Sequence, residues 1–135
     1  MSEWIFLVPS VVYSRITGEF DEELKTKYGM TAENFSTTDS SNKKAVFPFV
    51  FVKQIQGIEV GQTLDGHTVN GGNFTFQIDV YDNKTQQRAR TVMSEVSRIM
   101  KSMRFEMAAM PTVESGDTHR YTMRFRRVIG ALDGL

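Results

Sequence analysis

No cysteine occurs among the 135 residues. That excludes a disulfide scaffold, a thiol nucleophile and every cysteine-based zinc site. Net charge is missing too, since sixteen Lys and Arg balance sixteen Asp and Glu. A neutral chain is a poor binder of bulk nucleic acid or anionic membrane, although neutrality is compatible with a local patch. There are only two histidines: His67 falls in a glycine-rich stretch and His119 at the start of a strand pattern, so they do not form a helical metal pair. No long apolar run is present. Trp4–Val8 is cut short by Pro9 and has no basic residue before it, which fits neither a signal peptide nor the roughly 20 apolar residues of a spanning helix. The expectation is a protein without an export signal whose apolar start is packing surface.

Catalytic signatures are lacking as well. There is no G-x-S-x-G elbow, no phosphate loop and no G-x-G-x-x-G; Gly57-x-x-x-Gly61 lacks the Gly-Lys-Ser/Thr ending that would cradle a phosphate. Glu19, Asp21, Glu22 and Glu23 alternate with Lys25 and Lys27 on one helical stretch, which is a solvated face rather than a cation site. Met93, Met100, Met103, Met107 and Met123 sit at apolar positions of regular elements and read as adaptable core filling, with Met110 beside them. The reading is not an enzyme, with no cofactor and no metal.

What is present is a clear pattern over one domain spanning residues 1–135. Phe74, Phe76, Ile78 and Val80 alternate with Thr75, Gln77 and Asp79, the period of a strand buried on one face. Asp82-Asn83 ends it, and Asn83 with Gln86 is in register for a capping box. From Thr85 to Met103, Ala89, Val92, Met93, Val96, Ile99, Met100 and Met103 recur at helical steps. Upstream, Pro9-Ser10 opens a second helical pattern: Val12, Ile16, Phe20, Leu24 and Tyr28 lead to a stop at Gly29, and Asp21–Lys25 and Glu23–Lys27 are favourable spacings on the wet side. Asn34–Thr37 suggests a small strand, Ser36–Lys44 a polar loop, and Val46–Val52 a covered strand with Pro48 near its start.

Half of the ten glycines fall between Gly57 and Gly72. A glycine-rich stretch of that length between strands predicts a projecting hairpin arm over about residues 55–73. Arg104–Pro111 reads as a short strand stopped by proline, and Ser115-Gly116-Asp117 as a turn. The last strand, Thr118–Ile129, places Arg120, Thr122, Arg124, Arg126 and Val128 on one face, opposite Tyr121, Met123 and Phe125. The predicted fold is α+β in α-β-β-α-β-β order: a mostly antiparallel sheet of about four to five strands, two main helices on one side, and a long projecting β-hairpin arm.

Two features exceed packing needs, the arm and the arginine face. Arginines on an exposed strand meet acidic partners on a neighbouring subunit or track a phosphate backbone, and overall neutrality favours the first. The ordered series Phe47-Pro48-Phe49-Val50, Gly61-Gln62-Thr63-Leu64, Phe76–Asp82, the helix with Ala89, Val96 and Met100, then Arg120–Gly130 resembles the small tail terminator and tail completion proteins of long-tailed bacteriophages. The resemblance runs from about Pro9 to Gly130. It implies a homo-hexameric ring assembled in host cytoplasm, sited in the virion at the tail and neck. Such a ring caps the tail tube protein, stops its polymerisation and presents a surface to the head–tail connector, with no membrane partner and at most transient contact with DNA. On that expectation Gln62, Thr63, Leu64, Asp65 and His67 of the arm, Arg120, Arg124 and Arg126 of the last strand, and Trp4 and Phe6 of the apolar start make contacts between subunits or rings. Another neck or head-completion component is the alternative. A nucleic-acid-binding module using the arginine strand and Tyr121 is a further one.

Overall fold

The alternating segment from Phe74 to Tyr81 forms the middle of the sheet. In a computed structural model, which describes residues 4–37, 46–61, 70–130 and 133, β3 (Gly71–Asp82) lies between β2 (Phe49–Val60) and β5 (His119–Gly130), antiparallel to both. β4 (Glu106–Ser115) pairs antiparallel with the outer side of β5, and β1 (Phe35–Ser36) pairs parallel with β2. The result is a mixed five-stranded sheet in the order β1-β2-β3-β5-β4. Three helices accompany it: α1 (Trp4–Glu19), α2 (Glu22–Tyr28) and α3 (Gln86–Ser102). The chain is a single α+β domain, as the patterning indicates. The small strand expected at Asn34–Thr37 is present as β1, and the element order departs from expectation in that the first helix is two.

α3 buries the expected stripe of Ala89, Val92, Met93, Val96, Ile99 and Met100 against Phe76, Ile78 and Val80 of β3 and Met123 and Phe125 of β5. Its N-cap is Thr85, whose hydroxyl accepts from the Arg88 amide at 3.0 Å, and not the expected Asn83. The reason is Asp82: its carboxylate already takes the Thr85 amide and the Arg88 side chain, which fixes the helix start two residues later.

α1 begins at Trp4 and carries Pro9 inside it, where the sequence suggested that Pro9 opens the helix. Proline removes one backbone donor, the one that would reach the Ile5 carbonyl. Burial of Val8, Val12 and Ile16 along one stripe offsets that loss. The helix expected to continue to Tyr28 breaks at Phe20, whose ring turns into the core, 2 % exposed, edge-on to Phe35 at 5.4 Å. Asp21 then caps α2 by accepting from the Glu23 amide, while its own amide donates to Glu95 of α3 at 2.9 Å. Lys25 consequently bonds the Thr17 carbonyl at 2.9 Å and Glu22 at 3.4 Å. Gly29 stops α2 at φ 64°, as expected.

Buried Asn34 fastens the start of β1 to the start of β2. Its Nδ2 donates to the Pro48 carbonyl at 2.7 Å and its Oδ1 accepts from the Thr31 amide at 2.9 Å. Pro111 does not stop β4, which runs on to Ser115 with pairing slips between Met107 and Ala109 and between Ala109 and Thr112. β4 is an edge strand, so a residue that cannot donate is tolerated where its nitrogen faces outward.

The glycine-rich hairpin differs from expectation at its root. Gln56–Val60 pairs with Gly71–Thr75, and β5 flanks β3 as far as Gly71, so any part extending past the three-stranded sheet falls within residues 61–70. Residues 62–69, with Gln62, Thr63, Leu64, Asp65 and His67, lie outside the described residues. One root glycine makes room for an aromatic ring: a Cβ on Gly72 would lie 2.7 Å from the Phe74 ring, which Trp4 meets edge-on at 6.0 Å. Gly72→Ala is therefore expected to destabilise by about 1–3 kcal/mol through overpacking, read as a lower urea midpoint. An unchanged midpoint would mean that the Phe74 ring shifts without strain.

Candidate functional site

Both long helices pack on one face of the sheet, α3 over β3 and β5 and α1 beside it against β2. The opposite face is built by alternate residues of the three central strands. Strand register sets them in rows: Phe49, Tyr81 and Arg120; then Phe51, Asp79 and Thr122; then Lys53, Gln77 and Arg124; then Gln56, Thr75 and Arg126; then Ile58, Asn73 and Val128. The arginine face read from the sequence is thus one column of a two-dimensional array.

Its centre is Asp79, only 4 % exposed. The carboxylate accepts from the Thr122 hydroxyl at 2.6 Å and from Arg120 and Gln77, each at 3.2 Å. Arg120 also lies over the Tyr81 ring at 5.6 Å and 3.9 Å from Glu114. Burial disfavours its charge, but Asp79, Tyr81 and Glu114 overcome that and raise its pKa. Arg120 is therefore a pin within the sheet. Arg124 donates to the Gln77 side chain at 3.1 Å. Arg126 lies 3.8 Å from Glu106, with both side chains more than half exposed, a pairing of little energetic weight. Lys53 is exposed. The Arg120 Nε and the Asn73 Oδ1, both on this face, are buried without a hydrogen-bond partner among the described residues.

The remaining candidates are dispersed. Trp4 is half-buried on Phe74 within its own chain. Phe6 points outward, 77 % exposed, and continues into Leu7 and Val11 on the outer side of α1. Met110 and Val113 form a second exposed apolar pair on β4, at the far margin of the sheet. His119 meets the Ser115 hydroxyl at 3.0 Å across the β4–β5 turn. Leu7 belongs to the apolar start Trp4–Val8 that the sequence marks as packing surface. Val11 extends it only because α1 begins before Pro9, although the Leu7–Val11 spacing of four is a helical signal. Lys53, Phe49 and Phe51 escaped the sequence reading because only register places them beside the arginines.

Among the described residues no group of three or more His, Cys, Asp or Glu side chains could hold a metal ion, and no helix is long and apolar enough to cross a membrane. The chemistry this surface offers is anion binding and stacking. Comparison with protein-family models and with curated proteins finds no match for this chain.

Proposed function

We propose that the protein is a ring-forming structural protein of a tailed bacteriophage, a tail terminator that caps the tail tube and provides the surface for joining the head. The family assignment rests on the residue order from Phe47 to Gly130. The observation that carries ring formation is the pair of dissimilar apolar surfaces at opposite margins. One is the outer side of α1, with Phe6, Leu7 and Val11, beside β2; the other is the edge strand β4, with Met110 and Val113. A contact between two different surfaces of identical copies is head-to-tail, and such contacts close into rings when the rotation per copy divides a full turn. Leaving both surfaces in water has no structural benefit to the isolated domain. The hairpin between β2 and β3 is the element assigned to docking on a neighbouring ring.

Electron microscopy of particles made without this protein tests the function. Overlong, headless tubes are expected, because nothing halts tube growth. Normal-length tails lying beside filled heads would move the protein to another place in the neck. In vitro, Leu7→Glu and Val113→Glu should each give a folded 15.4 kDa protomer that no longer enters a hexamer by mass photometry. A hexamer assembled equally well from both variants would remove these surfaces from the ring contact.

A further inference from the structure

Overall neutrality conceals a separation of charge. On the open face of β2, β3 and β5 stand Lys53, Arg120, Arg124 and Arg126 against one carboxylate, Asp79. Asp79 is buried and already bound by Arg120 and Thr122, so it does not neutralise the other three cations. On the outer strand β4, Glu114 stands opposite Arg120 and Glu106 opposite Arg126. The Arg126–Glu106 pair, 3.8 Å apart with both side chains more than half exposed, is weak enough for a phosphate to displace. Lys53 and Arg124 face no carboxylate in their row. Lys53 and Arg124 share a row, two strands apart, or about 10 Å at the usual strand spacing, with the Gln77 amide between them. Arg126 follows one row on, roughly 7 Å along β5.

Next to these cations the same face carries aromatic rings. Phe51 is one row from Lys53 on β2, and Phe49 and Tyr81 lie in the row beyond, their ring centroids 6.3 Å apart. All three rings are partly exposed. An acidic protein surface would use the guanidinium and ammonium groups and leave the rings idle. A nucleic-acid duplex would do the same, because its bases are stacked inside. A single strand uses both, setting phosphates on cations and unstacked bases on aromatic faces of a sheet. Side-chain amides and hydroxyls at Gln56, Thr75 and Gln77 share the rows of the cations, with Asn73 in the row beyond, and suit base edges and sugar.

We infer that the open sheet face is a binding surface for single-stranded nucleic acid, with phosphates held by Lys53, Arg124 and Arg126 and bases stacked at Phe49 and Phe51. This goes beyond the ring reading and does not depend on it, since a single copy presents the whole surface.

The test is fluorescence anisotropy of the full-length protein with labelled oligothymidylate and oligouridylate of about 20 nucleotides, long enough for one or more such sites. Three phosphate contacts on a single strand predict a slope of log K against log salt of about −2, or roughly 20-fold weaker binding between about 50 and 200 mM salt. Arg124→Ala/Arg126→Ala should bring the slope to about −0.7. Phe51→Leu, which keeps an apolar side chain but removes the ring, should weaken binding at least about fivefold and leave the slope unchanged. Binding to either sugar type supports the inference. Absence of binding at about 50 mM salt, or binding that neither variant alters, overturns it. So does a duplex held as tightly as the single strand, or polyglutamate held more tightly, each of which would assign the face to charge alone. The arginine variant is at exposed positions, so it remains informative even if Phe51→Leu fails to fold.

Discussion

Arg88→Met is expected to destabilise the fold by about 3–5 kcal/mol, because it leaves a buried carboxylate without its counter-charge. Asp82 closes β3 with its side chain fully buried. Its Oδ2 accepts from Arg88 Nε at 2.8 Å and from the Thr85 amide at 3.3 Å, and Arg88 lies over the Tyr28 ring at 5.6 Å. The pair therefore joins β3, the start of α3 and the end of α2. Burial pushes the Asp82 carboxyl up, but the hydrogen bond and charge of Arg88, with the amides of Thr85 and Lys84, bring it below its ordinary value of 3.8. A carboxyl depressed in the fold contributes stability that is present above its unfolded pKa and is lost as pH falls through the folded value. The natural chain should hold this contribution at neutral pH and lose it only in acid below about pH 4. In Arg88→Met burial is opposed only by the amides of Thr85 and Lys84, so the loss should move to higher pH. Urea unfolding across that range, with Asp82→Asn/Arg88→Met recovering part of the deficit, checks this. A loss under about 1 kcal/mol for the single variant would show that Asp82 keeps water or another partner.

Ile78→Asp and Val96→Asp should each abolish cooperative folding. Both side chains have no exposed surface, one at the centre of β3 and the other facing it from α3. Aspartate at either place is an unpaired charge in an apolar core, with a penalty that rivals the whole stability of a domain this size. Met110→Asp is the internal control. At 73 % exposure on the edge strand it should change stability by no more than about 0.5 kcal/mol. Circular dichroism melts separate the cases. A sharp transition in either core variant would mean that α3 and β3 do not face each other.

The elements that were legible in the sequence are those whose burial is periodic. β3 and α3 show periods of two and near 3.6, and nearly every apolar position read from those periods is buried. The errors fall where one local signal competes with distant packing. Pro9 looked like a helix start because its ring disfavours a helix interior, yet Val8 and Val12 on either side of it are core residues. Pro111 looked like a strand stop because nothing in the local sequence says that β4 is an edge. The break at Phe20 depends on Phe35 and Glu95, neither of them near in sequence. The open face shows the same division. Alternation sufficed to put Arg120, Arg124 and Arg126 on one side, but that Asp79 immobilises Arg120 and that Lys53 flanks Arg124 follow only from pairing between strands. The Asp79–Arg120 contact spans 41 positions.

Asn34 has a consequence for handling the protein. By binding the Pro48 carbonyl while anchored to Thr31, it sets the distance between two chain positions independently of what connects them. The entropy of closing such a connection grows only logarithmically, by about 0.6 kcal/mol for each doubling in length. Between β1 and β2 the sequence is thus thermodynamically editable. A fluorophore-bearing loop or an affinity peptide placed there should leave the stability of the fold little changed.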